Sequence, residues 1–157
     1  MSQTIASYSY DQLEQGQSAT VERHISEQDI LMFAAVSGDN NPVHLDREYA
    51  AASRFKERIA HGMLSGALIS AAIALELPGP GSVYLDQQLS FLRPVKIGDQ
   101  LSIQLQVLEK LGKGKVRIAT NIYNQNGKAV VQGEATVLAP ATAAEMRMPP
   151  LPVFSQQ

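Results

Sequence analysis

Asp39 and His44 are the side chains of this sequence whose types and spacing best suit acid–base chemistry. They stand five residues apart in the string FAAVSGDNNPVHLDREYA, where Gly, Asp, Asn and Pro favour a turn. Such a turn can aim both side chains at one water molecule. A carboxylate can accept a proton from that water, and an imidazole can hold or return a proton near neutral pH. The pair therefore suits the addition of H and OH across an activated alkene.

The same two residues also have a purely structural interpretation. Asp39 can accept a backbone hydrogen bond in an Asx-turn, and His44 can be a loop histidine with a satisfied ring. For an isolated Asp and His at this spacing the structural interpretation is the stronger one. The chemical interpretation therefore depends on the longer string around the pair.

That longer string resembles the hydratase 2 motif of the MaoC-like family. The likeness extends through RIAHGMLSGALISA and SFLRPVKIGD, and so covers roughly residues 17–138. Within the family, the sequence looks close to the (R)-specific enoyl-CoA hydratases that supply polyhydroxyalkanoate synthesis. The positions that match the motif are Phe33, Val36, Ser37, Gly38, Asp39, Asn41, Pro42, Val43, His44 and Ala50.

The resemblance implies hydration of trans-2-enoyl-CoA to (R)-3-hydroxyacyl-CoA, with Asp39 and His44 activating the water. It also implies that the backbone N–H of Gly62 stabilises the oxyanion. The start of a helix offers free N–H groups and the positive end of its dipole, and glycine permits close approach. Without the resemblance, a tight turn into a buried helix explains Gly62 as well. Which of Asp39 and His44 deprotonates the water stays open.

Four further residues are predicted to contact the substrate because of the resemblance. Ser70 and Ile73 would line an acyl tunnel, although small and branched residues on a central helix are ordinarily packing residues. A small Ser70 leaves room for an acyl chain longer than crotonyl, so short- to medium-chain substrates are expected. Asn41 and His61 complete the predicted binding set, and His61 is expected to orient the turn rather than to react.

Helical patterns cover the first half of the chain. Ser26 can cap a helix that ends near Ser37 and Gly38, and a short Ala-rich helix is predicted from about Asp46 to Ser53. The segment from Gly62 to Leu77 has no charge before Glu76, which predicts a helix buried on most sides. Its 16 residues reach only about 24 Å, shorter than the ~30 Å hydrocarbon layer of a membrane.

The second half of the chain alternates apolar and polar residues with the period of a strand. Val83, Leu85, Leu89 and Phe91 are predicted to share a buried face, and the strands after them to form an antiparallel meander with a hairpin turn at Asn126-Gly127. An earlier strand is expected near Ala19 to His24. The class is α+β, with an antiparallel sheet wrapped around a long central apolar helix. The resemblance makes this one hot-dog domain over residues 1–157, with a core at about 17–139 and a loose tail at 140–157.

Composition argues against several other classes of protein. The net charge is −2 and the 13 basic residues are scattered, so the one-sided basic surface of a nucleic-acid binder is not expected. Three histidines without cysteine give no convincing metal cluster, and no phosphate-binding glycine loop is present. No metal and no cofactor are therefore expected, because CoA is part of the substrate. The N-terminal sequence does not read as a signal peptide, which favours a cytoplasmic enzyme, and the resemblance implies a homodimer.

The sequence leaves two alternative functions open. Another hot-dog enzyme, either a thioesterase or an acyl-carrier-protein dehydratase, would share the fold. A non-catalytic acyl-CoA-binding module would need no acid or base. The contacts to the CoA phosphates also stay open, and five basic residues are candidates for them: Arg54, Lys56, Arg58, Arg93 and Lys96.

Overall fold

A five-stranded antiparallel sheet dominates the computed structural model, which describes residues 3–155. Its spatial order is β2-β4-β5-β6-β3, and β1 and β7 form a separate two-stranded sheet. The strands are β1 (Thr4–Ala6), β2 (Ser18–His24), β3 (Val83–Phe91), β4 (Gln100–Gly112), β5 (Lys115–Tyr123), β6 (Ala129–Leu138) and β7 (Glu145–Arg147).

Four helices lie between β2 and β3: α1 (Glu27–Ser37), α2 (Pro42–Leu45), α3 (Arg47–Ala52) and α4 (Gly62–Leu75). Ser26 caps α1 in a capping box with Asp29, which satisfies orphan N–H groups at the helix start. Asp46 caps α3 through the N–H of Tyr49. The predicted helices are therefore confirmed.

The core lies between the sheet and one face of α4. Leu101, Ile103, Leu105 and Val107 of β4 are almost completely buried, as the two-residue period predicted. The buried positions of α4 are Leu64, Ser65, Ile69, Ala72 and Ile73. A sheet packed on a long apolar helix confirms the predicted α+β class.

The prediction that α4 is buried on most sides is wrong for a single chain. Met63 is 57% exposed, and Ala67, Ser70, Ala71 and Ala74 are exposed as well. The sheet covers the side of the helix that carries Leu64, Ile69 and Ile73, and these exposed residues form a stripe on another side. Apolar composition alone could not distinguish burial within the chain from a face left open to a ligand or a second chain.

Strand β3 also differs from the prediction, both in its pairing partner and in its exposure. It pairs with β6 rather than with β4 and so forms an edge of the sheet. Val83, Leu85 and Phe91 are about half exposed, although their spacing predicted a buried face. The physical reason is the edge position, where α4 makes only slight contact with the strand.

The C-terminal segment is more ordered than predicted. Residues Glu145–Arg147 form β7 against β1, and the N–H of Met148 donates to the carbonyl of Gln3 at 2.9 Å. The expected loose tail is therefore wrong for residues 140–148. The short N-terminal strand supplies the missing partner, and its pairing across the whole length of the chain could not be read from local sequence.

Among residues 3–155, no helix is both long enough and apolar enough to cross a membrane.

Candidate active site

The turn between α1 and α2 places the carboxylate of Asp39. Gly38 ends α1 with a φ of 78°, a left-handed conformation that glycine adopts without strain. The N–H of Asp39 donates to Ser37 Oγ at 3.1 Å, and Asp39 Oδ1 accepts from the N–H of Asn41 at 3.1 Å. The Asx-turn of the structural interpretation therefore exists, and it holds one carboxylate oxygen while the other faces His44.

Helix α2 places the imidazole of His44. Asn41 caps this helix by accepting from the N–H of Val43 at 3.2 Å, and Pro42 begins it, as suits a position that needs no backbone donor. His44 is buried, and its Nδ1 donates to the carbonyl of Ile59 at 2.8 Å. Because the proton on Nδ1 is used in this way, Nε2 is left as the acceptor of the neutral ring.

Asp39 Oδ2 lies 3.9 Å from His44 Nε2. This separation is longer than the ~2.7–3.2 Å of a direct N–H···O hydrogen bond. It is suited to two acceptors that share one water molecule. The carboxylate is half exposed while the imidazole is buried, so the pair is open to solvent on the side of Asp39.

His61 contacts both Asp39 and His44. Its Nε2 donates to the backbone carbonyl of Asp39 at 2.9 Å, and its ring stacks on His44 with centroids 3.8 Å apart. Phe33 packs against the other side at 4.9 Å. The Nδ1 atom of His61 is buried and has no hydrogen-bond partner. These contacts place the His61 ring against both the backbone of Asp39 and the ring of His44.

Gly62 follows His61 and is the first residue of α4. Its N–H is one of the helix-start donors that have no intrahelical partner. A Cβ at this position would meet the ring of Phe91 at 3.2 Å, so any larger side chain would crowd the approach. The position is exposed and therefore open to an oxyanion.

The other predicted substrate contacts are not brought together. Asn41 is an exposed cap whose amide oxygen is used by the backbone. Ile73 is buried in the core, whereas Ser70 lies on the exposed stripe of α4. Neither Ser70 nor Ile73 lines the groove beside α1, the cavity beside His61 and Gly62 or the cavity at the C-terminal end of α4.

Asp39, His44 and His61 also form a group that could hold a metal ion, with one ligand atom from each residue within 4.8 Å of the others. Sequence reasoning did not identify this group, because His61 is remote from the motif in the chain. Ligand atoms on one tetrahedral zinc would need to lie about 3.4 Å apart, given bonds of ~2.0–2.1 Å. The 3.9 Å between Asp39 and His44 would have to shorten.

A cavity of about 330 Å³ opens beside His61 and Gly62. Arg54 and Arg93 line it, so two guanidinium groups stand near the site. Arg93 Nη1 also donates to the carbonyl of Ala129 at 2.7 Å, which limits its movement. We call this space the arginine cavity.

The other three basic residues that were candidates for CoA phosphate contacts lie outside the arginine cavity. Arg58 is buried and bound to Glu27, and this hydrogen bond and charge hold the pKa of Glu27 below its ordinary value. Lys96 is paired with Glu57. Lys56 lines a different cavity. Of the five basic residues named from the sequence, Arg54 and Arg93 are therefore the two that line the arginine cavity.

Residues 10–130 match the family model of the MaoC like domain. The chain belongs to the MaoC-like family. It is 43% identical over 132 residues to the (R)-specific enoyl-CoA hydratase of Rhodospirillum rubrum, covering 84% of this chain and 92% of that one.

Two solved structures extend the comparison. The unliganded R-hydratase PhaJ1 from Pseudomonas aeruginosa is similar with a TM-score of 0.95 and 56% identity, over 99% of this chain and 100% of that one. The (R)-hydratase from A. caviae involved in PHA biosynthesis has a TM-score of 0.79 and 40% identity, over 82% of this chain and 98% of that one. The likeness confirms the hot-dog fold.

Sequence reasoning missed the carbonyl of Ile59, which fixes the tautomer of His44. A backbone acceptor 15 residues away carries no side-chain signal. It also missed Phe154, which approaches α1 from the C-terminal segment. Its aromatic side chain in a proline-rich stretch was the available clue.

Proposed function

We infer that this protein is an (R)-specific enoyl-CoA hydratase. The observation that carries the inference is the 3.9 Å separation of Asp39 Oδ2 and His44 Nε2, at a turn of the family's motif. High identity to (R)-specific hydratases over most of both chains supports the same activity.

The reaction follows from where the acceptors and donors stand. The thioester carbonyl polarises the alkene, so the hydroxyl of the shared water adds to C3 while the Asp39–His44 pair takes a proton. Negative charge moves to the thioester oxygen, where the N–H of Gly62 donates to it. The pair then returns a proton to C2, which completes the addition of one water and restores the acid–base state.

The arginine cavity is the proposed entry for the CoA portion. Arg54 and Arg93 stand beside Gly62, where the thioester carbonyl would bind. Guanidinium groups are well suited to phosphate oxygens because they donate in a planar fork. The nucleotide end of CoA would therefore lie toward these two residues.

A homodimer suits the exposed edge of the sheet. Val83, Leu85 and Phe91 expose apolar surface on β3, and an unpaired edge strand is a template for pairing with another chain. A second copy bound at this edge would cover these side chains. The stripe of α4 exposed in the single chain would gain a partner in the same assembly.

A cytoplasmic role in polyhydroxyalkanoate monomer supply is proposed from the substrate class. Enoyl-CoA esters arise in fatty acid β-oxidation, and their (R)-3-hydroxyacyl products are monomers for the polymer. The A. caviae relative involved in PHA biosynthesis supports this placement. Acyl chains of short to medium length are the expected substrates.

The direct test follows the loss of conjugated enoyl-thioester absorbance with crotonyl-CoA and octenoyl-CoA. Chiral analysis of the product and a parallel assay for free thiol complete it. We expect (R)-3-hydroxyacyl-CoA without thiol release. Thiol release would instead identify a thioesterase, and activity restricted to carrier-protein thioesters would identify a dehydratase of fatty acid synthesis. Binding without turnover would indicate a non-catalytic acyl-CoA module.

A further inference from the structure

Ser65 is a buried polar residue of α4 that has no part in the reaction as described so far. It lies three residues after Gly62, the first residue of the helix, and its relative exposure is 3%. The other buried residues of α4 are all apolar. A hydroxyl at such a position is removed from water and therefore needs another hydrogen-bond partner.

The described part of the chain does not supply that partner. A serine inside a helix ordinarily donates to a carbonyl three or four residues earlier, which for Ser65 means the carbonyl of Gly62 or of His61. Within residues 3–155 the Ser65 hydroxyl forms neither this hydrogen bond nor any other. Because a buried hydroxyl without a partner destabilises the folded chain, this one indicates a partner outside the chain.

The arginine cavity is the space in which the Ser65 hydroxyl can meet such a partner. Ser65 lines this cavity together with His61 and Gly62. Residues three apart lie on the same side of a helix, and side chains lean toward the helix N-terminus. The Ser65 side chain therefore leans over the turn that begins at Gly62. Its hydroxyl and the N–H of Gly62 are two donors at the same end of one cavity.

We propose that Ser65 donates a second hydrogen bond to the thioester oxygen, beside the N–H of Gly62. The proposal rests on the proposed hydratase function and adds a side chain to its charge-stabilising site. A carbonyl oxygen has two lone pairs, and the N–H of Gly62 uses one of them. Attack of water at C3 moves negative charge onto this oxygen, so both hydrogen bonds strengthen as the transition state forms. No proton leaves Ser65, and the Asp39–His44 pair alone exchanges protons with the substrate.

Steady-state kinetics with crotonyl-CoA tests this role. Ser65→Ala should lower kcat by roughly 10²-fold, the lower end of the range for one oxyanion donor. The KM should stay nearly unchanged, because the hydrogen bond gains its strength in the transition state. Ser65→Thr keeps a hydroxyl and should recover part of the rate. Ser102→Ala on β4 is the matched control, since Ser102 does not line the arginine cavity, and it should keep the wild-type kcat.

Thermal unfolding separates this role from a structural one. The Ser65 hydroxyl has no partner in the described chain, and alanine favours a helix more than serine does. Ser65→Ala should therefore keep or raise the Tm while it lowers kcat. A Tm that falls together with kcat would overturn the proposal, because the hydroxyl would then hold the fold and not the substrate.

The absorbance of a bound ester with two conjugated double bonds, sorboyl-CoA, reports on the thioester oxygen itself. Bound to Asp39→Asn, which should not turn it over, the ester should absorb at a longer wavelength than in solution. The reason is that hydrogen bonds to the oxygen draw electron density along the conjugated chain. Adding Ser65→Ala to this variant should reduce the shift, whereas adding Ser102→Ala should leave it unchanged. An undiminished shift in the Ser65 variant would overturn the proposal.

Two further outcomes distinguish the proposal from its neighbours. Nδ1 of His61 is buried and has no partner, so Ser65 could instead act through this ring nitrogen. A rate loss from Ser65→Ala that disappears in a His61→Phe background would overturn the proposal in favour of that role. Wild-type protein that is inactive on crotonyl-CoA would contradict the hydratase function itself, whereas an active wild type with a fully active Ser65→Ala variant would contradict the role of Ser65 alone.

Discussion

The arginine cavity and an apolar groove beside α1 differ in almost every chemical respect. The groove is lined by Asp29, Met32, Phe33, Ala35, Val36, Leu64 and Phe154. The arginine cavity presents Arg54 and Arg93 beside the start of α4. The groove has twice its volume, about 670 Å³ against about 330 Å³, and presents mainly apolar side chains. His61 lines the first, and through Phe33 it contacts the wall of the second.

Two cavities of unlike polarity allow one small domain to recognise a substrate with two unlike ends. A CoA thioester joins a polyanionic head to an apolar chain, and the reacting carbons lie between them. The two cavities match these two ends in polarity. The Asp39–His44 pair connects to both through His61, which stacks on His44, lines the arginine cavity and contacts Phe33 in the wall of the groove; we call this pair the junction. Changes at the junction should therefore affect every substrate, whereas changes in one cavity should affect only one end of the substrate.

Replacing either member of the catalytic pair should have the largest effect. Asp39→Asn and His44→Gln should each lower kcat by roughly 10²- to 10⁴-fold, as the loss of a positioned acid or base commonly does. The loss should be the same for crotonyl-CoA and octenoyl-CoA, because the water is common to both. Steady-state kinetics with the two esters measures this, and a chain-length-dependent loss would break the division between junction and cavities.

His61→Phe should have a smaller effect that is still independent of chain length. It keeps an aromatic ring against Phe33 and His44 but loses the hydrogen bond to the carbonyl of Asp39. We expect kcat to fall about tenfold, with KM nearly unchanged, since one hydrogen bond contributes roughly 1.4 kcal/mol to holding the turn. His61→Gln, which retains an amide donor, should recover part of the rate. A larger change in KM than in kcat would instead place His61 in substrate binding.

Replacing the two arginines of the arginine cavity should weaken binding of the CoA end of the substrate alone. Arg54→Met and Arg93→Met should each raise KM for crotonyl-CoA about two- to fivefold, the range of a solvent-screened charge contact. The same variants should leave KM for a crotonyl-pantetheine thioester, which lacks the nucleotide, unaltered. Arg117→Met on β5 removes a charge that is paired with Glu109 and serves as the control. An equal effect on both thioesters would contradict the assignment of this cavity to CoA.

The sequence predicted those parts of the molecule that depend on local pattern. Ser26, Gly38 and Asn41 have the capping and turn roles that their types favour, and the Asp39–His44 turn follows from them. The buried face of β4 likewise follows from its two-residue period. These features require no knowledge of distant parts of the chain.

Features set by distant contacts could not be read in the same way. The carbonyl of Ile59 that orients His44 is a backbone group, and the β1–β7 pairing joins the two ends of the chain. The position of β3 at the sheet edge depends on a crossover that its own residues do not encode. For the same reason, the approach of the C-terminal residue Phe154 to α1 emerged only from the fold.

The central claim is that Asp39 and His44 serve one water molecule, and a double-mutant cycle tests it most directly. The kcat values of Asp39→Asn, His44→Gln and the double variant are measured with crotonyl-CoA. If both acceptors act on the same water, removing the second should add little, and the double variant should be about as slow as the slower single variant. Losses that multiply in the double variant would mean that the two residues act independently, and would contradict the account.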